Sequence, residues 1–440
     1  MSEDTYRPTP RPRHRDLSGA GVAQTIVYKA RRYDVTDWVD RHPGGPVIKD
    51  FLGQDVTCAF HMLHDMRNPI FLRLLEGMDI GPADDHPISD FDRDYLDLEQ
   101  VFLDRGWFEV NYGWYAREVG VVLGLLVVAY IATGPILSGL FFGLFIHQAA
   151  FLAHDVAHDS VVPARWRRRA SWLFGSVCFG ISHEKWTREH NEHHLEANRP
   201  VSDPQMNSMP HLVYSRREID DFERTRRPLT NWEKMKLATQ HIWVLPVLLL
   251  YGRINIVSGD LRRAVSERDA HHLSAFAIHM LLWATLLWLG WRGLDTAVSA
   301  SSIAAGAAYT AWFTLATLVI SGSIHLQLIL SHAYAPRLYK EEQEAMGMKF
   351  QALSNQNIST SLLDDWFHGG LQHHVEHHLF PRMPRHNLAK IRPYLRELCE
   401  KHGIEYKSDS FFRCILTMLK SLASASSGVR KDLRTRYLPG

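Results

Sequence analysis

The 35 residues from Val119 to Ala153 carry no charged side chain, and this run decides more about the fold than any other feature of the chain. About 20 apolar residues suffice for one helical crossing of a bilayer, so the run holds two. Gly134-Pro135 near its middle is a natural break, which gives a hairpin with spans at about 119–134 and 136–153. A second pair of apolar stretches, Leu273–Trp291 and Val298–Leu330, turns near Arg292–Thr296 and predicts spans at about 273–291 and 302–324. The expectation is an integral membrane protein, mostly α, with a four-helix transmembrane part. Its net charge of +1 argues against a nucleic-acid partner.

Eight histidines cluster just past or between these stretches. They are His154 and His158 in HDVAH, His190, His193 and His194 in HNEHH, and His374, His377 and His378 in HVEHH. On a helix, positions i, i+3 and i+4 share one face, so each cluster can aim two or three imidazoles at one point. Neutral imidazole is the commonest metal ligand and suits iron, zinc or copper. One metal cannot use eight imidazoles, so the count implies two metals. A zinc hydrolase would need only three ligands and an open water position.

Crossing parity places the clusters. Two spans separate the first 118 residues from the first cluster, and two more separate the second from the third. All three clusters and both termini therefore share one face. Cationic runs at Ala164–Arg169 and Arg262–Arg268 lie on that face, which the positive-inside rule makes cytoplasmic. Two shorter apolar runs, Trp172–Ser182 and Ile242–Tyr251, are too short to cross and are expected in the interface or lining a cavity. Residues 1–23, with Pro8, Pro10 and Pro12 among arginines, read as a disordered leader without the apolar core of a signal peptide. Residues 91–118 read as a linker and pre-membrane helix, and 401–440 as a polar cytosolic tail. The four cysteines show neither metal spacing nor a disulfide framework.

Residues 24–90 form a separate chemical unit. His42-Pro43-Gly44-Gly45 is a fixed turn without side-chain bulk, which a flat cofactor can approach closely. A second histidine, His64, lies 22 residues on, past room for two short helices. Two axial histidines leave haem iron six-coordinate, suited to carrying electrons. The segments YDVTDWVDRHPGG and GQDVTCAFHMLH resemble a cytochrome b5 domain, a small α+β haem-binding fold. His61 competes for the second position. The family pattern puts that ligand four residues after Phe60, at His64. The resemblance implies haem b held by His42 and His64.

The stretch over 119–400 resembles the membrane fatty-acid desaturases, specifically the front-end branch fused to cytochrome b5. QAAFLAHDVAHDSV, GISHEKWTREHNEHH and DWFHGGLQHHVEHHLFPRMPRHNL follow that branch's three histidine boxes in order. The resemblance implies a cytosolic helical cap carrying a di-iron site. It also implies a ninth ligand where the last span enters the cytosol. His332 in LILSHAYAP matches, with His325 as runner-up. In one respect the chain departs from the pattern. Front-end enzymes open the third box with glutamine, where this chain has His374; the change keeps a metal ligand but puts automatic front-end regiochemistry in doubt.

An unactivated C–H bond has no acid or base handle, so breaking it calls for a strong oxidant derived from dioxygen. Imidazole ligands resist oxidation that thiolates would not. Asp155, Asp159, Glu192 and Glu376 are candidates to accept hydrogen bonds from ligand imidazoles, or else solvated helix faces. His183, His368 and His373 fall off the ligand positions; His147 is expected to pack or line a substrate channel; His271 and His272 mark an interfacial helix end. Asn198 matches a family asparagine that supports the site or substrate.

The expected function is an O2-dependent lipid desaturase of the endoplasmic reticulum membrane. It would act on a fatty-acyl chain, with Δ5, Δ6 or Δ8 outcomes open, and draw electrons from NADH through a cytochrome b5 reductase and its own haem. Alternatives are a sphingolipid Δ8 long-chain-base desaturase, a di-iron lipid hydroxylase, and a non-catalytic membrane haem carrier.

Overall fold

The computed structural model describes residues 23–200, 202–293, 300–333, 335–361 and 364–437. Of the leader expected over 1–23, all but Ala23 lies outside them. The N-terminal unit is built on a three-stranded antiparallel sheet, β1 (Thr25–Tyr28), β2 (Arg31–Asp34) and β3 (Asp79–Pro82), in the order β1-β2-β3. Lys29 and Ala30, which join β1 to β2, both have positive φ (48° and 56°), the turn geometry that matches the twist of paired strands. Helices α1 (Thr57–Leu63) and α2 (Pro69–Glu76) complete the unit around Ile26, Tyr33, Val35 and Leu75.

The chain continues through α3 (Asp90–Asp104), capped by the Ser89 hydroxyl, into α4 (Tyr112–Ile131) and α5 (Pro135–Ala157). The break between the last two falls where the sequence places it, with Gly134 at φ 83° and Pro135 opening α5. Next come α6 (Ala164–Ala170), which runs on through a π-helical stretch at Ser171–Cys178, and α7 (His183–Leu195). After α8 (Arg216–Thr225), α9 (Asn231–Pro246) and α10 (Gly252–Glu267) are joined by the π-turn Val247–Tyr251. Pro246 cannot donate in the ladder, and the wider turn absorbs that loss.

Here the structure corrects an expectation. Ile242–Tyr251 is not a short isolated element, because α9 and α10 form one 37-residue rod, Asn231–Glu267, long and apolar enough by composition to cross a membrane. Polar residues at either end continue the helix beyond the apolar run. Among the described residues four further helices meet the same criterion: α4, α5, α11 (Ala270–Arg292) and α12 (Ala300–Leu330).

The remainder is α13 (Lys340–Glu344), α14 (Lys349–Leu353), β4 (Asn357–Ser359), α15 (Asp365–His368), α16 (His374–Leu379), α17 (Leu388–Lys401), β5 (Ser408–Ser410) and α18 (Phe411–Tyr437). Strands β4 and β5 pair in parallel. The expected tail is thus largely a packed helix. Cys414, Met418 and Leu422, four residues apart, form a helical stripe that is fully buried against Leu330 and Ile358.

Two contacts fix where the site lies. Glycines let α5 and α12 touch: a Cβ on Gly139 would sit 2.5 Å from the Phe313 carbonyl oxygen, and one on Gly143 2.8 Å from Ile320 Cβ. One turn further on, His147 Nε2 lies 3.0 Å from Gln327 Oε1. The pairings advance in the same direction along both helices, so α5 and α12 run parallel and end side by side. The second contact is a shared apolar core. Met62 of α1, Phe91, Tyr95 and Phe102 of α3, and Val375, Leu379 and Phe380 on and beside α16 pack together.

Candidate metal centre and haem pocket

His154 sits in the last turn of α5 and His158 caps that helix, so both leave it on one side. His190, His193 and His194 lie on α7, and His374, His377 and His378 on the single turn-and-a-half of α16. His332 stands two residues past α12. Their nitrogens converge in two groups. His154, His158, His190, His194 and His377 present ligand atoms all within 4.8 Å of one another, and so do His193, His332 and His378. His374 joins the second group, its Nε2 2.8 Å from His332 Nε2. Eight of the nine rings are at most 5% exposed, with His154 a little more open.

The spacing suits metal. Two nitrogens about 2.1 Å from one ion and at right angles lie about 3 Å apart. The Nε2 atoms of His158 and His190 are 3.0 Å apart, those of His194 and His377 3.1 Å, and those of His193 and His332 3.1 Å. Burial, with neighbouring imidazoles adding to it, pushes His190, His194, His374 and His378 well below the usual histidine range. These rings are neutral at pH 7, with lone pairs available.

Three of the carboxylates expected from sequence pair away from these rings. Asp155 pairs with Arg385 at 2.9 Å, Asp159 with Arg167, and Glu376 with Asn357 and Tyr406. Instead the His193 Nδ1–H donates to Asp203 at 2.9 Å, His378 Nδ1 meets Gln351 Oε1 at 3.1 Å, His190 Nδ1 meets Gln205 Oε1 at 3.1 Å, and His332 Nδ1 donates to the Ser354 carbonyl at 3.2 Å. Burial raises Asp203, but the neighbouring His193 and its hydrogen bond outweigh that and hold the carboxyl below its ordinary value. Its turn also receives the backbone N–H groups of Asn198, Gln205 and Met206. Nothing in the spacing of VSDPQ marks Asp203, because it meets His193 only when that turn folds back onto α7.

Asn198 does support the site. Its amide donates to the carbonyls of His332 (3.2 Å) and Ser354 (2.9 Å), and its oxygen accepts from Arg337 at 2.6 Å. His183 bonds the Ala153 carbonyl at 2.8 Å, and His147 and His368 both meet Gln327. His325 packs against Gly252, and neither it nor His373 joins the groups of converging nitrogens.

In the N-terminal unit, His42 follows a short helical turn at Val39–Arg41 and His64 caps α1. Their ring centroids are 6.1 Å apart. Two metal–nitrogen bonds of about 2 Å each, plus the half-widths of two rings, account for that separation. His64 Nδ1 is buried without a partner, and Phe71 stacks on its ring at 4.9 Å. A Cβ on Gly44 would come within 2.7 Å of the His42 ring, so the HPGG glycine makes room for the imidazole itself. Burial pushes His64 down to about 4 and lowers His42. His61 is engaged elsewhere, with Glu99 and with the Tyr28 hydroxyl at 3.3 Å.

A fatty acid desaturase family model matches residues 105–410. The chain belongs to the fatty acid desaturase family. Residues 23–84 of this desaturase match the cytochrome b5-like heme/steroid binding domain, so it is a lipid-acting oxidoreductase with a haem domain ahead of a membrane domain. Its histidine clusters fit a di-iron centre. It is 30% identical to a Delta(8)-fatty-acid desaturase of Helianthus annuus over 90% of this chain and 87% of that protein. It is 28% identical to an acyl-lipid (9-3)-desaturase of Borago officinalis over 94% and 92%, and 26% identical to fatty acid desaturase 3 of Bos taurus over 91% and 90%.

Proposed function

We propose that this chain is a front-end acyl-lipid desaturase whose two irons are held by His154, His158, His190, His194 and His377 on one side and His193, His332, His374 and His378 on the other. The haem ligands in this reading are His42 and His64. The observation that carries it is the convergence of nine imidazole nitrogens, from four separate parts of the chain, at the paired ends of α5 and α12. When bound, the irons supply the reduction of dioxygen: O2, two electrons and two protons, with the two hydrogens taken from adjacent carbons, leave as two waters and a double bond.

The protein's own part is to orient and to exclude water. Asp203, Gln351, Gln205 and the Ser354 carbonyl fix the rings. The fatty-acyl wording of the relatives' names favours an acyl chain over a sphingoid base.

The membrane reading follows from parallel helices. An odd number of crossings separates the end of α5 from the start of α12, and α11 supplies it. The rod of α9 and α10 therefore lies along the interface, turning Trp232, Ile242, Tyr251 and Val265 outward, as interfacial helices do. In this reading four crossings leave the site and both termini on the cytosolic side, which the cations of Ala164–Arg169 support. The endoplasmic reticulum is the proposed membrane and an NADH-dependent cytochrome b5 reductase the proposed donor.

The test is expression in yeast supplied with several polyunsaturated acids, followed by mass spectrometry of acyl chains and sphingoid bases. A new acyl double bond is expected. A hydroxylated acyl product, or a modified sphingoid base alone, overturns the reading.

A further inference from the structure

Beside the shared apolar core, a largely buried guanidinium also links the haem unit to the metal domain. Arg382 Nη1 donates to the Leu63 carbonyl at 3.4 Å, and Nη2 lies 3.8 Å from the Asp65 carboxylate. These two residues flank His64. With His64, Asp65 and Asp159, Arg382 lines a cleft of about 210 Å³ between the two units. Its side chain is only 17% exposed.

We propose that Arg382 is a positioning residue that clamps the His64 loop against the segment just past α16, holding the haem unit where it can pass electrons to the irons. This rests on the ligand assignment proposed above. Asp65 and Asp159 belong to different units and carry like charge. Arg382 lines the same cleft and, together with Arg167 on Asp159 and Arg67 on Asp65, offsets their repulsion. An ion pair with Asp65 on one side of His64 and a hydrogen bond to the Leu63 carbonyl on the other tie both flanks of the loop to one largely buried side chain. Met62 anchors α1 in the shared core, so loss of the clamp alters the register of the units without releasing the head. In each transfer ferrous haem becomes ferric and the iron pair gains one electron; two transfers supply what one dioxygen needs beyond the substrate's own hydrogens. Arg67 makes a useful comparison, since it pairs with Asp65 and Glu109 at 3.1 Å but is half exposed and so contributes little.

The experiment uses the full chain in lipid nanodiscs, loaded with haem and iron and kept free of oxygen. A photoexcited flavin reduces the haem, and the decay of its ferrous absorbance reports transfer to the oxidised irons. Amide hydrogen exchange over residues 57–67 is measured in parallel. Arg382→Gln is expected to slow the decay at least tenfold and to raise exchange in that segment, with haem and iron contents unchanged. Arg382→Lys should fall between, and Arg67→Gln should match the unaltered protein. Should Arg382→Gln lose iron, Asp65→Asn on the haem side carries the same expectation. Unchanged decay and exchange in Arg382→Gln overturn the clamp. A ferrous haem that persists in the unaltered, iron-loaded protein overturns the electron-donor reading beneath it as well.

Discussion

His193 Nε2 and His332 Nε2 lie 3.1 Å apart, yet neither nitrogen has a proton to place between them. The Nδ1 of His193 is committed to Asp203 and that of His332 to the Ser354 carbonyl, both acceptors. With each Nδ1 turned to its acceptor, the two rings present their Nε2 atoms to each other. His374 Nε2 adds a third nitrogen at 2.8 Å from His332. Such an arrangement is repulsive unless a cation draws the lone pairs together, and the same preorganisation that costs stability in the apoprotein favours metal.

Asp203→Asn tests this directly. The amide keeps the shape but loses the charge and one acceptor, so His193 is free to place its proton on Nε2. Iron bound by the His193–His332 group should weaken, with activity falling about 10- to 100-fold, while haem content stays unchanged. Iron per haem, measured by elemental analysis, checks it; full iron with full turnover would refute the role of Asp203.

His374→Gln restores the glutamine of the front-end pattern. Gln offers an amide oxygen where imidazole nitrogen now stands, and the pocket, with His374 Nδ1 buried and unpartnered, gains a donor that lacks an acceptor. Iron should remain while turnover drops about tenfold. Loss of one iron per chain would show that this protein depends on the third imidazole of the HVEHH cluster.

Acid should release the haem over a defined range. The His64 imidazole is held near 4 by burial, against 6.5 in the open chain. The unfolded chain therefore binds the extra proton first as pH falls. The contribution of the neutral ring is complete above about pH 6.5 and is lost down to about pH 4. Soret absorbance followed against pH should show dissociation across that range, and His61→Gln should leave the curve in place.

Gly143→Leu addresses the helix pair. Ile320 lies 2.8 Å from where even a Cβ would stand, so the larger side chain must push α12 from α5. His154 and His158 ride on one helix and His332 follows the other. Iron content should fall by at least half with the chain still membrane-inserted. Retention of both irons would mean that the helix contact does not set the site.

The sequence by itself determined the chemistry and its neighbourhood. An uncharged run long enough for two crossings dictates a membrane hairpin, and histidines at helical spacing dictate shared faces, because both are local properties of the chain. The HPGG turn and a second histidine 22 residues on are local features of the same kind. What only the tertiary structure decided is which groups meet: Asp203 and Gln351 as the partners of ligand rings, Asp155 turned instead to Arg385, the apolar stripe of α18, and Arg382 between the two units. Those contacts join residues far apart in the chain, and no periodicity records them. They exist because glycines bring α5 and α12 together and one apolar core holds α1 against α16.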